Sequence, residues 1–360
     1  MDPDRIRRAT DLDALPRMCP DRPRVAARIK AVPEDFEVEE VPIYPPQGSG
    51  DHLFLWVEKR DCSGGELLRR LTSALRLRPG EIGAAGTKDR RAVTRQWLSV
   101  PADREEAVAG LSLDRIRVLA AVRHTNKLRL GHLLGNRFRI LLRDAPPESC
   151  EAMIETGRWL EATGFYNLYG PQRFGQRAET LRGGLALLGN GGDTRNDPRI
   201  GPFERRMLIS SVQSALFNLY VAERVGRGLE RTVLRGDVMG KTVTGGLFRA
   251  EDVAAEQARF DAGETRLTGP MFGHKMMDAR DESGGMEGAV LASAGLEAER
   301  FKVFSKLAEG TRRPLVVRPT DFAAEGRPEG VLLSFFLPKG CYASVMLREF
   351  VTEAAAADES

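Results

Sequence analysis

The chain has 360 residues, a formal net charge of +3, 42% hydrophobic residues and 29% charged residues. The length favours two or three domains, and the composition is that of an ordinary globular protein, which excludes wholesale disorder. No apolar run reaches the roughly 20 residues that a membrane helix needs, and the N-terminal residues lack the apolar core of a secretory signal. We therefore expect a cytoplasmic protein that does not contact a membrane.

Cysteine and histidine are sparse. The chain has four of each, and neither type shows the spacing of a metal site. A disulfide framework is equally unsupported in a chain of this length. The sequence therefore predicts no metal site.

Arginine dominates the cations, with 45 arginines against 9 lysines. The planar guanidinium group donates two parallel hydrogen bonds to a phosphate, so the bias is compatible with RNA binding. A GC-rich genome produces the same bias, because its codons favour arginine, alanine and glycine together. Composition alone therefore does not establish an RNA ligand.

Strands and helices alternate irregularly along the chain. Residues 29–40 indicate a strand, a turn and a strand, and Ser63 is a suitable N-cap for a helix. Period-two alternation predicts strands at 52–58, 93–100, 137–143 and 330–337, and helical spacing predicts helices at 64–77, 148–163, 206–225 and 342–351. The absence of a regular βαβ rhythm favours an α+β sheet domain over a doubly wound fold.

The residue pattern of the chain changes after about residue 164 and again near residue 311. Residues 236–285 look rich in loops, whereas the last part is rich in β-forming residues. We predict a sheet domain that an insertion interrupts and that the C-terminal strands complete. The predicted segments are a flexible leader at 1–25, the first part of the sheet domain at 26–163, an inserted domain at 164–310, returning strands and a helix at 311–352, and a disordered tail at 353–360.

The most informative segment is residues 86–97, where one carboxylate, Asp89, lies among cationic side chains. Nearby positive charge favours the ionised form of a carboxylate, and the same cations could hold a polyanion over it. We therefore predict a nucleophilic or basic aspartate that acts on a nucleic acid, with Lys88, Arg90 and Arg91 as contacts to RNA phosphates. The alternative is an ordinary solvated or turn-capping aspartate at the entrance to a strand.

A second signal is the glycine-punctuated segment 131–138, in which Asn136 and Phe138 lie two residues apart on one face of a strand. An amide beside an aromatic ring can hydrogen-bond and stack a nucleobase. The alternative is a turn asparagine followed by a core phenylalanine. Phe36 has the same ambiguity, with a core residue as the default.

Together these segments resemble the TruD family of tRNA pseudouridine synthases. The matching stretches occur in the order of the family and span most of the chain. They are PEDF at 33–36 with VEE at 38–40, AGTKDRRAVTRQ at 85–96, GH at 131–132 with GNRF at 135–138, NLYGPQRFG at 167–175, and LPKG at 337–340 with YAS at 342–344 and RE at 348–349.

The resemblance implies an isomerase that converts a uridine of tRNA, usually nucleotide 13 in the D arm, to pseudouridine without a cofactor. It implies a pseudouridine-synthase-like catalytic domain with a mixed, largely antiparallel sheet and flanking helices, interrupted by an inserted α/β TruD-specific domain, with RNA in the cleft between them. Asp89 would be the catalytic residue, Lys30 and Phe36 would lie near it, and Asn136 and Phe138 would hold the flipped base. We expect a monomer whose partner is tRNA.

Three alternatives stay open at this point. Thr87 stands where some bacterial members carry glutamine, so a synthase for a different RNA position is one alternative. A non-catalytic RNA-binding protein on the same fold is another. A phosphoesterase or nuclease is a weaker one, because the clustered acids or histidines that hold its metals do not occur. The residues also do not decide whether Asp89 attacks the ribose or removes a ribose proton.

Overall fold

The computed structural model describes residues 1–189 and 200–353. Within them the helices are α1 (Pro3–Thr10), α2 (Gly64–Ala74), α3 (Glu105–Ala109), α4 (Cys150–Thr163), α5 (Glu179–Gly189), α6 (Pro202–Gly226), α7 (Val253–Asp261), α8 (Asp281–Ser293), α9 (Ala298–Val303) and α10 (Ala343–Leu347). None of these helices is both long enough and apolar enough to span a membrane. Most of the predicted C-terminal tail lies outside the described residues.

The strands are on average shorter in the second half of the chain than in the first. They are β1 (Val25–Ala27), β2 (Phe36–Pro42), β3 (His52–Arg60), β4 (Gly83–Ala84), β5 (Val93–Pro101), β6 (Ile116–His124), β7 (Leu133–Arg143), β8 (Phe165–Tyr166), β9 (Val238–Lys241), β10 (Leu247–Arg249), β11 (Thr265–Met271), β12 (Thr311–Pro314), β13 (Val316–Val317), β14 (Thr320–Arg327), β15 (Gly330–Pro338) and β16 (Val351–Glu353).

The chain forms two compact units, each built from separate stretches of sequence. The sheet unit comprises Asp21–Thr163, Arg318–Ala343 and the end of the chain from Phe350. The helical unit comprises Met1–Pro20, Gly164–Val317 and Ser344–Glu349.

The sheet unit is organised around one large mixed sheet. Its strand order is β14-β15-β7-β2-β5-β3-β6, with β4 paired to β5. Neighbouring strands run antiparallel except β2 and β5, which are parallel. The α+β class with a mixed, largely antiparallel sheet is therefore confirmed.

Strand β15 joins this sheet although it follows the long segment Gly164–Val317 of the helical unit in the sequence. It pairs with β7 along its whole length, from Gly330 opposite Arg143 to Pro338 opposite Gly135. The C-terminal strands β14 and β15 therefore belong to the same sheet as strands β2 to β7, which precede residue 164.

One face of the sheet is buried because apolar side chains recur at every second position. In β7 the side chains of Phe138, Ile140 and Leu142 are buried. Helix α2 covers part of this face, and its buried Leu67 and Leu71 join the same apolar cluster as the inward residues of β3. Ser63 caps α2 as predicted, because its side chain accepts a hydrogen bond from the backbone N–H of Glu66.

The helical unit is built around the long helix α6. A small sheet of order β10-β9-β11-β12 belongs to the same unit. Arg224 of α6 is fully buried and pairs with Asp237 at 2.8 Å, while its guanidinium also contacts the hydroxyl of Tyr220. The prediction of a loop-rich segment at 236–285 was wrong, since β9, β10, β11, α7 and part of α8 lie there.

Both ends of the chain differ from the predictions. The expected flexible leader contains α1, whose Ile6 and Ala9 are buried, and the side-chain amide of Asn218 donates to the Ala9 carbonyl oxygen. The predicted last helix is shorter, because the chain turns into β16, which pairs in parallel with β1. Strand β1 also ends at Ala27, before the segment 29–40, for which a strand, a turn and a strand are predicted.

Gly135 is required where β7 and β15 approach closely. A Cβ atom there would lie 2.1 Å from the Leu337 carbonyl oxygen, which belongs to the backbone and cannot swing away. We expect Gly135→Ala to lower the free energy of unfolding by about 1–3 kcal/mol in urea denaturation.

Gly65→Ala in α2 is the matched control, since a Cβ atom at Gly65 meets nothing within 4 Å. Its stability should be equal to that of the parent or slightly higher, because alanine favours a helix over glycine. Equal losses in the two variants would contradict the close-approach argument.

Candidate active site

The loop between β4 and β5 carries Asp89 above the buried face of the sheet. The Ala85 carbonyl oxygen accepts a hydrogen bond from the N–H of Gly131, and the Gly86 carbonyl oxygen accepts one from the side-chain amide of Gln96. The loop is therefore attached to β5 and to the segment that precedes β7. The Asp89 side chain is 34% exposed. Its carboxylate is thus reachable from solvent while its backbone is fixed.

Lys59 of β3 holds the Asp89 backbone from below. Its ammonium group donates to the carbonyl oxygens of Asp89 at 2.5 Å and of Cys62 at 2.6 Å. The side chain is fully buried, and burial lowers the pKa of Lys59 to about 8. A buried cation with two carbonyl acceptors is a costly arrangement that fixes the position of both acceptors.

Lys30 pairs with the Asp89 carboxylate, with Nζ and Oδ1 at 2.8 Å. The same ammonium group lies 3.9 Å from the centre of the Phe36 ring, a cation–π contact. The backbone of Lys30 has a φ of 59°, a left-handed conformation that few residues other than glycine adopt. The structure therefore brings Asp89, Lys30 and Phe36 together.

Lys88 points inward, although it was predicted to contact phosphate. Its side chain is 6% exposed, and its ammonium group lies 3.0 Å from Oε2 of Glu40. It also donates to Oδ1 of Asn136 at 2.5 Å. Because this side chain faces the sheet, it is not available to a phosphate in this arrangement. Burial raises the pKa of Glu40, and the positive charge of Lys88 acts in the opposite direction.

Asn136 and Phe138 lie on the buried face of β7, as their spacing predicts. Phe138 meets Phe36 edge to face at 6.1 Å and stacks on Phe335 of β15 at 5.4 Å. All three rings are buried. In this structure Phe138 therefore has the packing of a core residue, while Asn136 is partly exposed beside it.

Arg90 and Arg91 are exposed at the outer end of the loop. The guanidinium of Arg91 donates to the Ala31 carbonyl oxygen at 3.0 Å, which links the loop to the segment that carries Lys30. Both arginines remain accessible to an anion.

The predicted site residues other than the two arginines form one cluster, and three residues of that cluster were missed. Glu40, Lys59 and Phe335 all lie at inward positions of their strands. A charged residue in phase with buried apolar residues, as in Leu53, Leu55, Val57 and Lys59 of β3, is the signal that would have found two of them. Among the described residues, no group of three or more histidine, cysteine or acidic side chains is arranged to hold a metal ion.

Comparisons with known proteins agree on one family. The family model described as tRNA pseudouridine synthase D (TruD) matches residues 16–194 and 201–350. A relative named tRNA pseudouridine synthase D from Thermus thermophilus is 44% identical over 338 residues, which cover 94% of this chain and 92% of that protein. One of the same name from Anaeromyxobacter dehalogenans is 41% identical over 93% of this chain and 95% of its own length.

A solved structure is similar over nearly the whole chain. The crystal structure of a protein assigned to TruD from Methanosarcina mazei superposes with a TM-score of 0.71 at 25% identity. The match covers 92% of this chain and 94% of that one.

The lowered pKa of Lys59 predicts a pH dependence of stability. The pKa falls from 10.5 to about 8 on folding, so between these values the unfolded chain binds more protons and stability rises with pH. Between pH 7 and 10 we expect the free energy of unfolding of the unaltered chain to gain about 2 kcal/mol relative to Lys59→Met.

Urea denaturation at several pH values measures this difference. The control is Lys339→Met, which removes an exposed lysine of the same unit and should give a curve parallel to that of the unaltered chain. Parallel curves for Lys59→Met as well would show that Lys59 keeps an ordinary pKa in the folded protein.

Proposed function

The chain belongs to the TruD family of tRNA pseudouridine synthases, and on that premise we propose that it converts uridine at nucleotide 13 of tRNA to pseudouridine with Asp89 as the reacting carboxylate. The observation that carries the proposal is the ion pair between Asp89 and Lys30 at 2.8 Å on a loop whose backbone Lys59 fixes. A carboxylate that is ionised, accessible and held in one position is what the reaction needs.

The reaction is an isomerisation. The bond between N1 of uracil and C1′ of the ribose breaks, a bond between C5 and C1′ forms, C5 loses a proton and N1 gains one. Asp89 either attacks the ribose to give a covalent adduct or removes a ribose proton to give a glycal. Both routes use an anionic carboxylate, and Lys30 stabilises that charge in either case.

The detached uracil must turn without leaving. In this proposal Asn136 holds it by a hydrogen bond, and the edges of the Phe36 and Phe138 rings form the apolar floor. The register supports this arrangement, because Val38 is opposite Phe138 and Glu40 is opposite Asn136, which aligns Phe36 with the same face. The contact of Lys30 with both Asp89 and Phe36 joins the two parts of the site.

A stacked uridine must be flipped out of the folded tRNA, at a cost of a few kcal/mol. Arg90 and Arg91 are exposed beside Asp89 and are suited to contact the phosphates next to the flipped nucleotide. We assign no phosphate contact to Lys88, since its ammonium group is already held by Glu40 and Asn136. In this proposal the segment Gly164–Val317 of the helical unit corresponds to the inserted domain predicted at 164–310.

Replacement of the carboxylate tests the role of Asp89. We expect Asp89→Asn to slow pseudouridine formation by at least about a thousandfold, because the amide can neither attack nor take up a proton. The affinity for tRNA should stay within about threefold of that of the unaltered chain. Tritium release from tRNA that carries 5-tritiated uridine measures the first quantity, and filter binding measures the second.

Asp321→Asn is the control, since this aspartate is 61% exposed and pairs with Arg137 on a different strand of the sheet. Its tritium release should equal that of the unaltered chain. If Asp89→Asn lost binding and activity together, Asp89 would have a structural role. If the unaltered chain bound tRNA but released no tritium, it would be a binding protein.

The position of the target nucleotide is tested separately. We expect tRNA in which uridine 13 is replaced by cytidine to release no tritium, while replacement of other D-arm uridines leaves the release unchanged. Primer extension after carbodiimide treatment of the unaltered tRNA should stop next to nucleotide 13. A stop at a different uridine would move the target and leave the chemistry as proposed.

A further inference from the structure

The hydrogen-bond polarity of Asn136 is set by its neighbour Lys88. An ammonium group has three donors and no acceptor, so only the amide oxygen of asparagine can face it. The distance between Nζ of Lys88 and Oδ1 of Asn136 is 2.5 Å. The amide NH₂ group must therefore point away from Lys88.

Lys88 cannot easily release this oxygen, because Glu40 holds it from the adjacent strand. Glu40 is directly opposite Asn136 in the pairing of β2 with β7, and its carboxylate lies 3.0 Å from the Lys88 ammonium. The Glu40 side chain is fully buried, and its other oxygen accepts from the backbone N–H of Trp97 at 3.3 Å. Moving Lys88 would leave a buried carboxylate without its counter-ion, which is strongly unfavourable.

The remaining polar group of Asn136 is its NH₂ group. It makes no hydrogen bond to any other residue that the structure describes, and the residue is partly exposed. Lys88 and Asp89 are consecutive, so the same loop that fixes this amide carries the carboxylate. The site therefore presents a donor, and not an acceptor, at Asn136.

We propose that Lys88 and Glu40 are positioning residues that lock the Asn136 amide as a hydrogen-bond donor to O4 of uracil in the bound substrate and to O2 after the base has turned. This inference rests on the proposed function. It concerns residues that do not react but that determine which base is accepted.

The symmetry of uracil explains why one donor serves both stages. A half-turn of the ring about the axis through N3 and C6 exchanges N1 with C5, which is the exchange that the reaction requires. The same half-turn exchanges O2 with O4. A fixed NH₂ group that faces one carbonyl oxygen in the substrate therefore faces the equivalent oxygen after the turn.

Cytosine does not have this symmetry, because its C4 carries an amino group where uracil has an oxygen. A donor locked at Asn136 would meet that amino group in the bound substrate and form no hydrogen bond. An amide that was free to flip could accept from the amino group with its oxygen. The clamp on Asn136 therefore selects uracil over cytosine.

The test measures the affinity ratio for two tRNAs that differ only at the converted nucleotide, which carries uridine in one and cytidine in the other. All binding is measured in the Asp89→Asn background, so that no turnover occurs. We expect uridine to be favoured by about fivefold or more, the size of one hydrogen bond. With Lys88→Met and Glu40→Gln added, both buried charges are removed and the ratio should fall to about one.

Two further variants complete the design. Asn136→Asp replaces the NH₂ group by an acceptor without a change of shape and leaves the buried ion pair intact, so it should also bring the ratio to about one or below. Lys302→Met in α9 removes an exposed lysine and should leave the ratio unchanged. Conversion of the uridine tRNA by the unaltered chain is followed in parallel by chromatography of the nucleosides.

The outcomes are distinct. Loss of the uridine preference in the Lys88/Glu40 and Asn136 variants supports the proposal. A ratio near one in the Asp89→Asn background, or a ratio that these variants do not change, overturns the proposal. If the unaltered chain still converts the uridine tRNA in that case, the proposed function stands. No conversion by the unaltered chain overturns the proposed function and this inference with it.

Discussion

Two lysines with buried side chains, Lys59 and Lys88, hold the loop that carries Asp89. A buried ammonium group is tolerated only with hydrogen-bond or ionic partners, and the inward face of the sheet supplies them. Lys59 uses two backbone carbonyl oxygens, one of which belongs to Asp89, and Lys88 uses Glu40 and Asn136. The position of the loop is therefore coupled to the strands below it.

The site also depends on the interrupted sheet. Strand β7 pairs with β2 on one side and with β15 on the other, although β15 is about 190 residues further along the chain. That pairing brings Phe36, Phe138 and Phe335 into one cluster from three strands. Asn136 lies at the end of this cluster, next to Lys88. Only a sheet that is complete from both parts of the sequence forms this surface.

Local patterns predicted the parts of this structure in which a short-range rule decides the outcome. Ser63 as a cap, the strand that carries Asn136 and Phe138, and the cationic loop around Asp89 follow from spacing within about ten residues. The direction of Lys88 does not, because loop side chains have no period and a lysine beside an arginine pair is ordinarily solvated. Glu40 and Lys59 lie in phase with the buried apolar residues of β2 and β3, so period-two alternation places them on the inward face but does not identify the partners of their charges.

The consecutive residues Lys88 and Asp89 show why such inward charges are retained. An apolar replacement of the pair formed by Lys88 and Glu40 would remove a desolvation cost and could stabilise the sheet. It would also release the amide of Asn136 and the loop that carries the carboxylate. The sheet loses stability at these positions and gains a fixed position for the Asp89 carboxylate, an exchange that is common at functional sites. In this unit the inward charged residues Lys59, Lys88 and Glu40 therefore fix the position of the loop that carries Asp89.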